Sequence, residues 1–252
     1  MTYPAIQIFG VTGIPEIQIG DDLAEIILTA CQRQETQLGS NDVLVITQKI
    51  VSKSEGCLIK LETVVPSLFA AEFANQWDKD PRHVEVVLRE SRRIVRMDHG
   101  VIISETKHGH FCANAGVDAS NLDGEDIVST LPKDPDKSAS IIRERIYELA
   151  NIRIAVVISD TFGRPWRTGT TNVAIGVAGI HPLKDYRGEI DPYGFTIKVT
   201  QASVADEIAG ASGLVSEKMN QVPVSVVRNV SYLKSSDGIS PLFRDKETDF
   251  FR

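Results

Sequence analysis

The 252-residue sequence has few cysteines, no long apolar run and no excess of basic residues, and each shortage excludes something. Its three cysteines, Cys31, Cys57 and Cys112, form an odd, widely spaced set. That excludes a disulfide framework and a cysteine zinc cluster, and it fits reduced thiols in a cytosolic protein. No stretch approaches the roughly 18 uninterrupted apolar residues that mark a membrane span. The opening MTYPAIQIFGVTG has no basic region ahead of an apolar run, so no secretory signal is expected and the expected location is cytoplasmic. Basic residues are outnumbered: 27 Lys and Arg face 34 Asp and Glu, a formal charge of −7. No basic stripe marks a nucleic-acid surface. A phosphate-bearing ligand must therefore be held by local cations, backbone amides or metal ions, because the overall field opposes it.

Common catalytic signatures are missing too. There is no G-x-x-x-x-G-K-[ST], no G-x-G-x-x-G after a strand, no G-x-S-x-G elbow and no C-x-x-C. His108 and His110 stand two apart with no third His or Cys nearby, so a polar loop edge is favoured over a metal site.

What is present is an alternation of strand-like and helix-like segments in a chain that is 42% hydrophobic, enough to build a core. Helices are expected over 21–38, 67–78, 84–95, 138–149 and 202–218, with the Asp80-Pro81 pair separating the second from the third. Strands are expected over 42–51, 101–106, 154–159, around 196–200 and over 222–227. The order lacks a strict βαβ rhythm, so the fold class is α+β. Residues 107–124 and 160–194 read as loops rich in Gly, Asp, Arg and Thr, and the second is too long for an ordinary connection.

Three acids stand out. Asp118 lies in the small-residue stretch CANAGVDASN, and Asp160 follows the apolar run IAVVIS. A carboxylate at the end of a buried strand, next to the Thr161 hydroxyl, suits a hard divalent cation. Capping the next element is the ordinary alternative. Arg164, Arg167 and the threonines after them suit phosphate or carboxylate recognition, and a phosphate or metal site stands level with a structural loop. Glu217, the third, falls near a helix C-terminus, where a carboxylate wants a cation or a neighbour such as Lys218. Asp206 and Glu207 in the first turn of that helix read as capping charges. Strand alternation would put Lys49, Val51 and Lys53 on one face, where the two ammoniums could meet phosphates, although solvated lysines are the commoner outcome. The Gly13–Glu16 turn could face a base or be an ordinary turn.

Taken together, GIPEI (13–17), DVLVITQKIVSKSEG (42–56), CANAGVDASN (112–121), SDTFGRPWRTGTTNVAIGVAG (159–179), LKDYRGEIDPYG (183–194) and VADEIA (204–209) resemble the coenzyme F420-0:L-glutamate ligase family. The resemblance runs in order from about residue 8 to 230, and it is to the stand-alone form rather than the one fused to a flavin-dependent reductase. It implies one ligase module over 1–252, a mixed-sheet, two-lobed fold of its own, and an intertwined homodimer. It also implies GTP-dependent addition of one or more γ-linked L-glutamates to the deazaflavin F420-0 through an acyl phosphate, with no membrane or nucleic-acid partner. Two divalent cations, Mn²⁺ or Mg²⁺, would bridge the nucleotide phosphates. By motif, one falls on Asp118 and Asp160, the other on Thr161 and Glu217. Nucleotide contacts fall on Ile14, Pro15, Glu16, Ile17, Gln48, Lys49, Lys53, Asn121 and the 215–222 segment, which includes Glu217. Arg164, Arg167 and Arg187 would hold the acceptor's phosphate or the glutamate carboxylates. Other readings are a ligase or phosphotransferase acting on another acidic metabolite, and a nucleotide-binding regulator without catalysis.

Overall fold

The computed structural model describes residues 4–120, 126–216 and 220–249. Its main sheet has five strands in the order β1 (Gln7–Val11), β12 (Val224–Arg228), β2 (Val43–Thr47), β8 (Ala155–Arg164) and β9 (Arg167–Ala178). β2 and β8 run parallel and every other neighbouring pair is antiparallel, so the sheet is mixed. Helices α1 (Leu23–Arg33) and α5 (Pro135–Ala150) cover one face, and α6 (Val204–Ser216) covers the other. Strand alternation divides the core accordingly. Leu44, Ile46, Val156 and Ile158 pack with Ile27 and Ile146 on the first face. Val43, Val45, Ala155 and Val157 pack with Ala205, Ile208 and Ala209 on the second. This two-sided burial explains why the central strands read as continuous apolar runs rather than alternating ones. Each fully buried Ile or Val there contributes roughly 1.5–3 kcal/mol.

A separate hydrophobic cluster forms between α3 (Leu68–Trp77), α4 (Pro81–Glu90), the antiparallel sheet β4 (Ser91–Asp98), β5 (Val101–Thr106) and β6 (Phe111–Ala113), and the β3 (Leu58–Lys60)–β7 (Ile127–Ser129) pair. Ala70, Ala74, Val84, Val87, Ile102, Val117 and Val128 fill it. The pair β10 (Lys184–Asp185) and β11 (Gln201–Ala202) closes the loop that leads to α6. A short helix, α2 (Gln48–Ser54), leaves the end of β2.

Capping fixes the helix starts. Asp22 accepts from the Ala24 and Glu25 amides to begin α1, and Asp80 with Pro81 begins α4. At Gly176 in β9, a Cβ would stand 2.5 Å from the Pro135 main chain, so glycine lets α5 start directly against the strand. Among the described residues no helix is long and apolar enough to cross a membrane. Cys31, Cys57 and Cys112 are buried free thiols.

Four sequence expectations need correction. The 42–51 strand ends at Thr47, and Gln48–Ser54 is helical because its Ile50 and Val51 gain more by packing into the core than by extending the sheet. The 84–95 helix starts earlier and stops at Glu90; Ile94 and Val95 belong to β4, where Ile94 pairs with Ser104 and Val95 falls at a shift of register. Much of the 160–194 loop is the β8–β9 hairpin, whose polar outer part is exposed and so carries no hydrophobic pattern. In place of a 196–200 strand there is one bridge, Ile190 to Thr196, and then β11.

Candidate active site

The register of the parallel pair determines where chemistry can gather. Thr47 of β2 lies beside Ser159 of β8, so Gln48 and Lys49, which begin α2, stand next to Asp160 and Thr161, where β8 runs on past the end of β2 in its pairing with β9. In an open sheet, the carboxyl ends of parallel strands are where ligands bind. Gln48 is buried, and its Oε1 accepts from Ser52 Oγ at 2.8 Å. Asp160 Oδ1 accepts from the Thr161 amide at 2.8 Å, and the Thr161 hydroxyl donates to Asn172 Oδ1 at 2.9 Å across the hairpin.

Asp118 arrives from the other side. The chain reaches it through a left-handed turn in which Asn114, Ala115 and Gly116 have φ of 52°, 51° and 71°. A Cβ on Gly116 would meet Leu131 at 2.8 Å, so both the backbone conformation and the space demand glycine. Asp118 then exchanges main-chain hydrogen bonds with Ser129, at 3.0 and 2.8 Å. Its carboxylate accepts from the Ser120 amide at 2.8 Å and the Ser120 hydroxyl at 2.7 Å, and it pairs with the Lys49 ammonium. Lys49 Nζ also donates to the Ser120 carbonyl at 2.6 Å.

The two carboxyls are set apart electrically. Burial pushes Asp160 up to about 6, and the Asp118 charge adds to this against the Thr161 amide, Lys49 and Gln48. Burial also works to raise Asp118, but the Lys49 and Ser120 hydrogen bonds outweigh it and hold that carboxyl below its ordinary range. Two acids with opposed environments in one crevice are a marker of a working site. The nearby Cys112 thiol is pushed up to about 12, chiefly by burial and further by Asp160, so it stays protonated and offers no thiolate.

Among the described residues no three His, Cys, Asp or Glu side chains gather as a ready metal cage. The donors present are two carboxylates and a hydroxyl. This all-oxygen set fits a hard divalent cation.

Around this centre, Lys49 and Lys53 share a face of α2, now at helical i, i+4 spacing rather than by strand alternation, while Val51 turns into the core. Lys53 is buried and pairs with Glu16, tying α2 to the 14–17 loop. In that loop Ile17 is buried, Ile14 packs against the core, and Pro15 is exposed. Arg164 and Arg167 face each other in register at the tip of the β8–β9 hairpin, exposed. Four residues of extended strand separate Arg164 from Asp160, roughly 13 Å. Arg187 pairs with Asp185. Asp206, in the first turn of α6, accepts from the Ser203 hydroxyl and from the Ala174 amide of β9 rather than capping the helix. His110 is buried, with Nε2 on the Ile175 carbonyl at 3.1 Å, as befits a structural histidine. Asn121 and Glu217 lie outside the described residues. Sequence reasoning gave no role to Ser120 or Asn172. Only Ser120 had a signal, as a hydroxyl two residues beyond an acid.

The sequence pattern of the family described as F420-0:Gamma-glutamyl ligase matches residues 12–229. Curated relatives named "Coenzyme F420:L-glutamate ligase" agree. The Methanothermobacter thermautotrophicus protein is 44% identical over 250 residues, covering 98% of this chain and 99% of its own. The Methanopyrus kandleri protein is 42% identical, covering 89% and 86%. The Archaeoglobus fulgidus protein is 38% identical, covering 98% and 96%. A match of this extent makes the chain an enzyme of the class that forms carbon–nitrogen bonds. It belongs to the F420-0:gamma-glutamyl ligase family.

Proposed function

We propose that the crevice at the carboxyl ends of β2 and β8 joins L-glutamate to the carboxylate of coenzyme F420-0, driven by GTP through an acyl phosphate. The observation that carries this reading is the gathering of Asp118, Asp160, Thr161, Gln48 and Lys49 at the end of β2. A carboxylate oxygen is a poor leaving group. Transfer of the terminal phosphoryl group to that oxygen releases GDP. The glutamate amine then attacks the carbonyl carbon, phosphate leaves, and the amine's proton passes to solvent. Such chemistry asks for positioning and charge neutralisation more than for a protein nucleophile.

Each residue has a task within this scheme. Lys49 and Lys53 turn from their carboxylate partners, Asp118 and Glu16, to the nucleotide phosphates. Asp118, Asp160 and Thr161 supply oxygen donors for the divalent cation, with Glu217 as a further donor. Bound there, Mn²⁺ or Mg²⁺ would neutralise charge building on the phosphate oxygens. Gln48 keeps the Asp160 carboxylate oriented, and residues 14–17 with Asn121 face the nucleotide. Arg164 and Arg167, out on the hairpin, meet the acceptor's phosphate or the glutamate carboxylates. We also infer a homodimer, because the 184–202 loop exposes Tyr193 (87%), Phe195 (72%) and Val199 (84%). The free buried thiols agree with a cytoplasmic location.

The test incubates the protein with F420-0, L-glutamate and Mn²⁺, with GTP or ATP, and reads glutamyl additions by mass spectrometry. Addition with GTP alone supports the whole reading, and the product ladder gives the number of glutamates. Equal addition with ATP removes the nucleotide assignment. No addition with either nucleotide, in protein that still binds GTP, replaces ligation of F420-0 with another acceptor or a regulatory role.

A further inference from the structure

We infer that Trp166, at the tip of the β8–β9 hairpin, is the platform on which the flat deazaflavin ring of the acceptor stacks. The inference rests on the reading of F420-0 as acceptor in the proposed function and adds to it the recognition of the ring.

The tip is a tight turn that holds an ill-suited residue. Arg164 and Arg167 are paired in register, so Pro165 and Trp166 alone make the turn. The proline ring keeps φ negative, which excludes the hairpin turns that need a positive φ at their first central residue. Trp166 has a φ of 56°. A negative φ followed by a positive one is the pattern of the turn that takes glycine or asparagine at its second central position. A bulky residue there is an outlier. The tip keeps this shape through Arg164, whose Nη2 donates to the Thr168 carbonyl at 3.3 Å, and through Gly169, whose φ of 91° suits glycine.

Folding gains little from a tryptophan in this place. Its ring is 83% exposed, so burial does not offset the strain. Strained backbone of this kind clusters at active sites and ligand clamps. An exposed indole offers a broad apolar face, and the guanidiniums of Arg164 and Arg167 on either side are planar cations that also stack on aromatic rings. The ligand such a tip suits is a flat heteroaromatic ring. Distance selects which one. The proposed function places the reacting carboxylate beside Asp160, and the tip begins roughly 13 Å away along β8. In the acceptor, a polyol, phosphate and lactyl chain of about ten single bonds, each advancing roughly 1.25 Å, sets the ring about 13 Å from that carboxylate. Trp166 can therefore hold the ring while the carboxylate lies beside Asp160. The base of the nucleotide, the other flat ring in the reaction, belongs to residues 14–17 in the same reading.

The test compares Trp166→Gly, Trp166→Asn and Trp166→Phe with the wild type. The first two fit the positive φ and remove the ring, and the third keeps one. The readouts are F420-0 affinity by calorimetry, KM for F420-0 and for GTP, melting temperature, and assembly size by sedimentation. The ringless variants should melt at or above the wild-type temperature and bind F420-0 about 5- to 100-fold more weakly, with KM for GTP as in the wild type. Trp166→Phe should recover most of that loss. A tryptophan that only supported the fold would not move stability and affinity in opposite directions. Wild-type affinity in the ringless variants overturns the inference, as does a Trp166→Phe as weak as they are. Melting well below the wild type, or a smaller assembly, also overturns it, by making the ring a support of the fold or a contact between copies. If the wild type binds no F420-0, the acceptor reading itself fails and the inference goes with it. If the wild type and the ringless variants bind F420-0 equally, that reading stands and Trp166 alone is removed from it.

Discussion

Lys49 and Asp118, 69 residues apart in sequence, pair across the crevice and join the start of α2 to the turn that follows β6. The ammonium occupies one carboxylate oxygen of a residue assigned to a cation, so in the free protein it stands where positive charge is wanted. Because the Asp118 side chain is 43% exposed, water and salt weaken the pair. A double-mutant cycle with Lys49→Met and Asp118→Asn should give a coupling of about 1 kcal/mol in urea denaturation, falling at high salt. Zero coupling at low salt would mean that the pair contributes nothing to the fold.

Asp160 should behave in the opposite way. Its carboxyl is raised to about 6, chiefly by burial, so the folded state is penalised for ionising it. That penalty is complete above pH 6 and fades as the pH falls toward the ordinary carboxylate range. At neutral pH, Asp160→Asn should therefore melt at or above the wild-type temperature. Ligation should drop on the order of 100-fold or more, since a neutral amide cannot supply the anionic oxygen. A variant with wild-type turnover would remove Asp160 from the mechanism.

A pH effect on stability should come from His110. Burial, the largest cause, pushes its imidazole down to about 4 against an ordinary 6.5. Nε2 meets the Ile175 carbonyl, and the ring packs edge-on to Phe162 and Phe243. A depressed histidine contributes stability that is complete above pH 6.5 and is lost as the pH falls from there toward 4. The loss is roughly 3 kcal/mol over that range. Urea titrations from neutral to acid pH should show it, and His110→Gln should flatten the curve. An unchanged slope in the variant would assign the effect to another group.

How much of this was legible in the sequence depended on whether the signal was local. IAVVIS announced a buried strand, and Asp160 at its end stood out by contrast, which is why both were found. Asp80-Pro81 marked the break between two helices for a local reason, and the break is there, although α4 starts at Pro81 itself rather than at 84. QKIVSKS misled because its β-branched residues favour a strand, whereas packing decides for a helix. The outer β8–β9 hairpin was hidden because strands exposed on both faces have no alternation to read. The α+β class was readable from element order, but the approach of Asp118 to Lys49 depends on a left-handed turn that includes Ala115, a residue that seldom adopts it.

Away from this site, the opposite end of the central strands offers a test of buried charge. Asp42 is buried just before β2, and Arg228 at the end of β12 grips it with Nε at 2.9 Å and Nη2 at 2.7 Å. Nη2 also donates to the Gln37 carbonyl at 2.8 Å, and Asp42 accepts from the Gly39 amide at 2.7 Å. Removing the guanidinium leaves a desolvated carboxylate with one amide donor, which is far worse than losing a surface pair. Arg228→Ala should cost about 3 kcal/mol, or roughly 6–12 °C in melting temperature. Adding Asp42→Asn should recover part of that loss, because the orphaned charge is then gone. A fall no larger than the roughly 0–1 kcal/mol of an exposed pair would mean that water replaces the arginine at no cost. An additive double variant would mean that the two side chains stabilise this end of the strands independently, by packing rather than by charge.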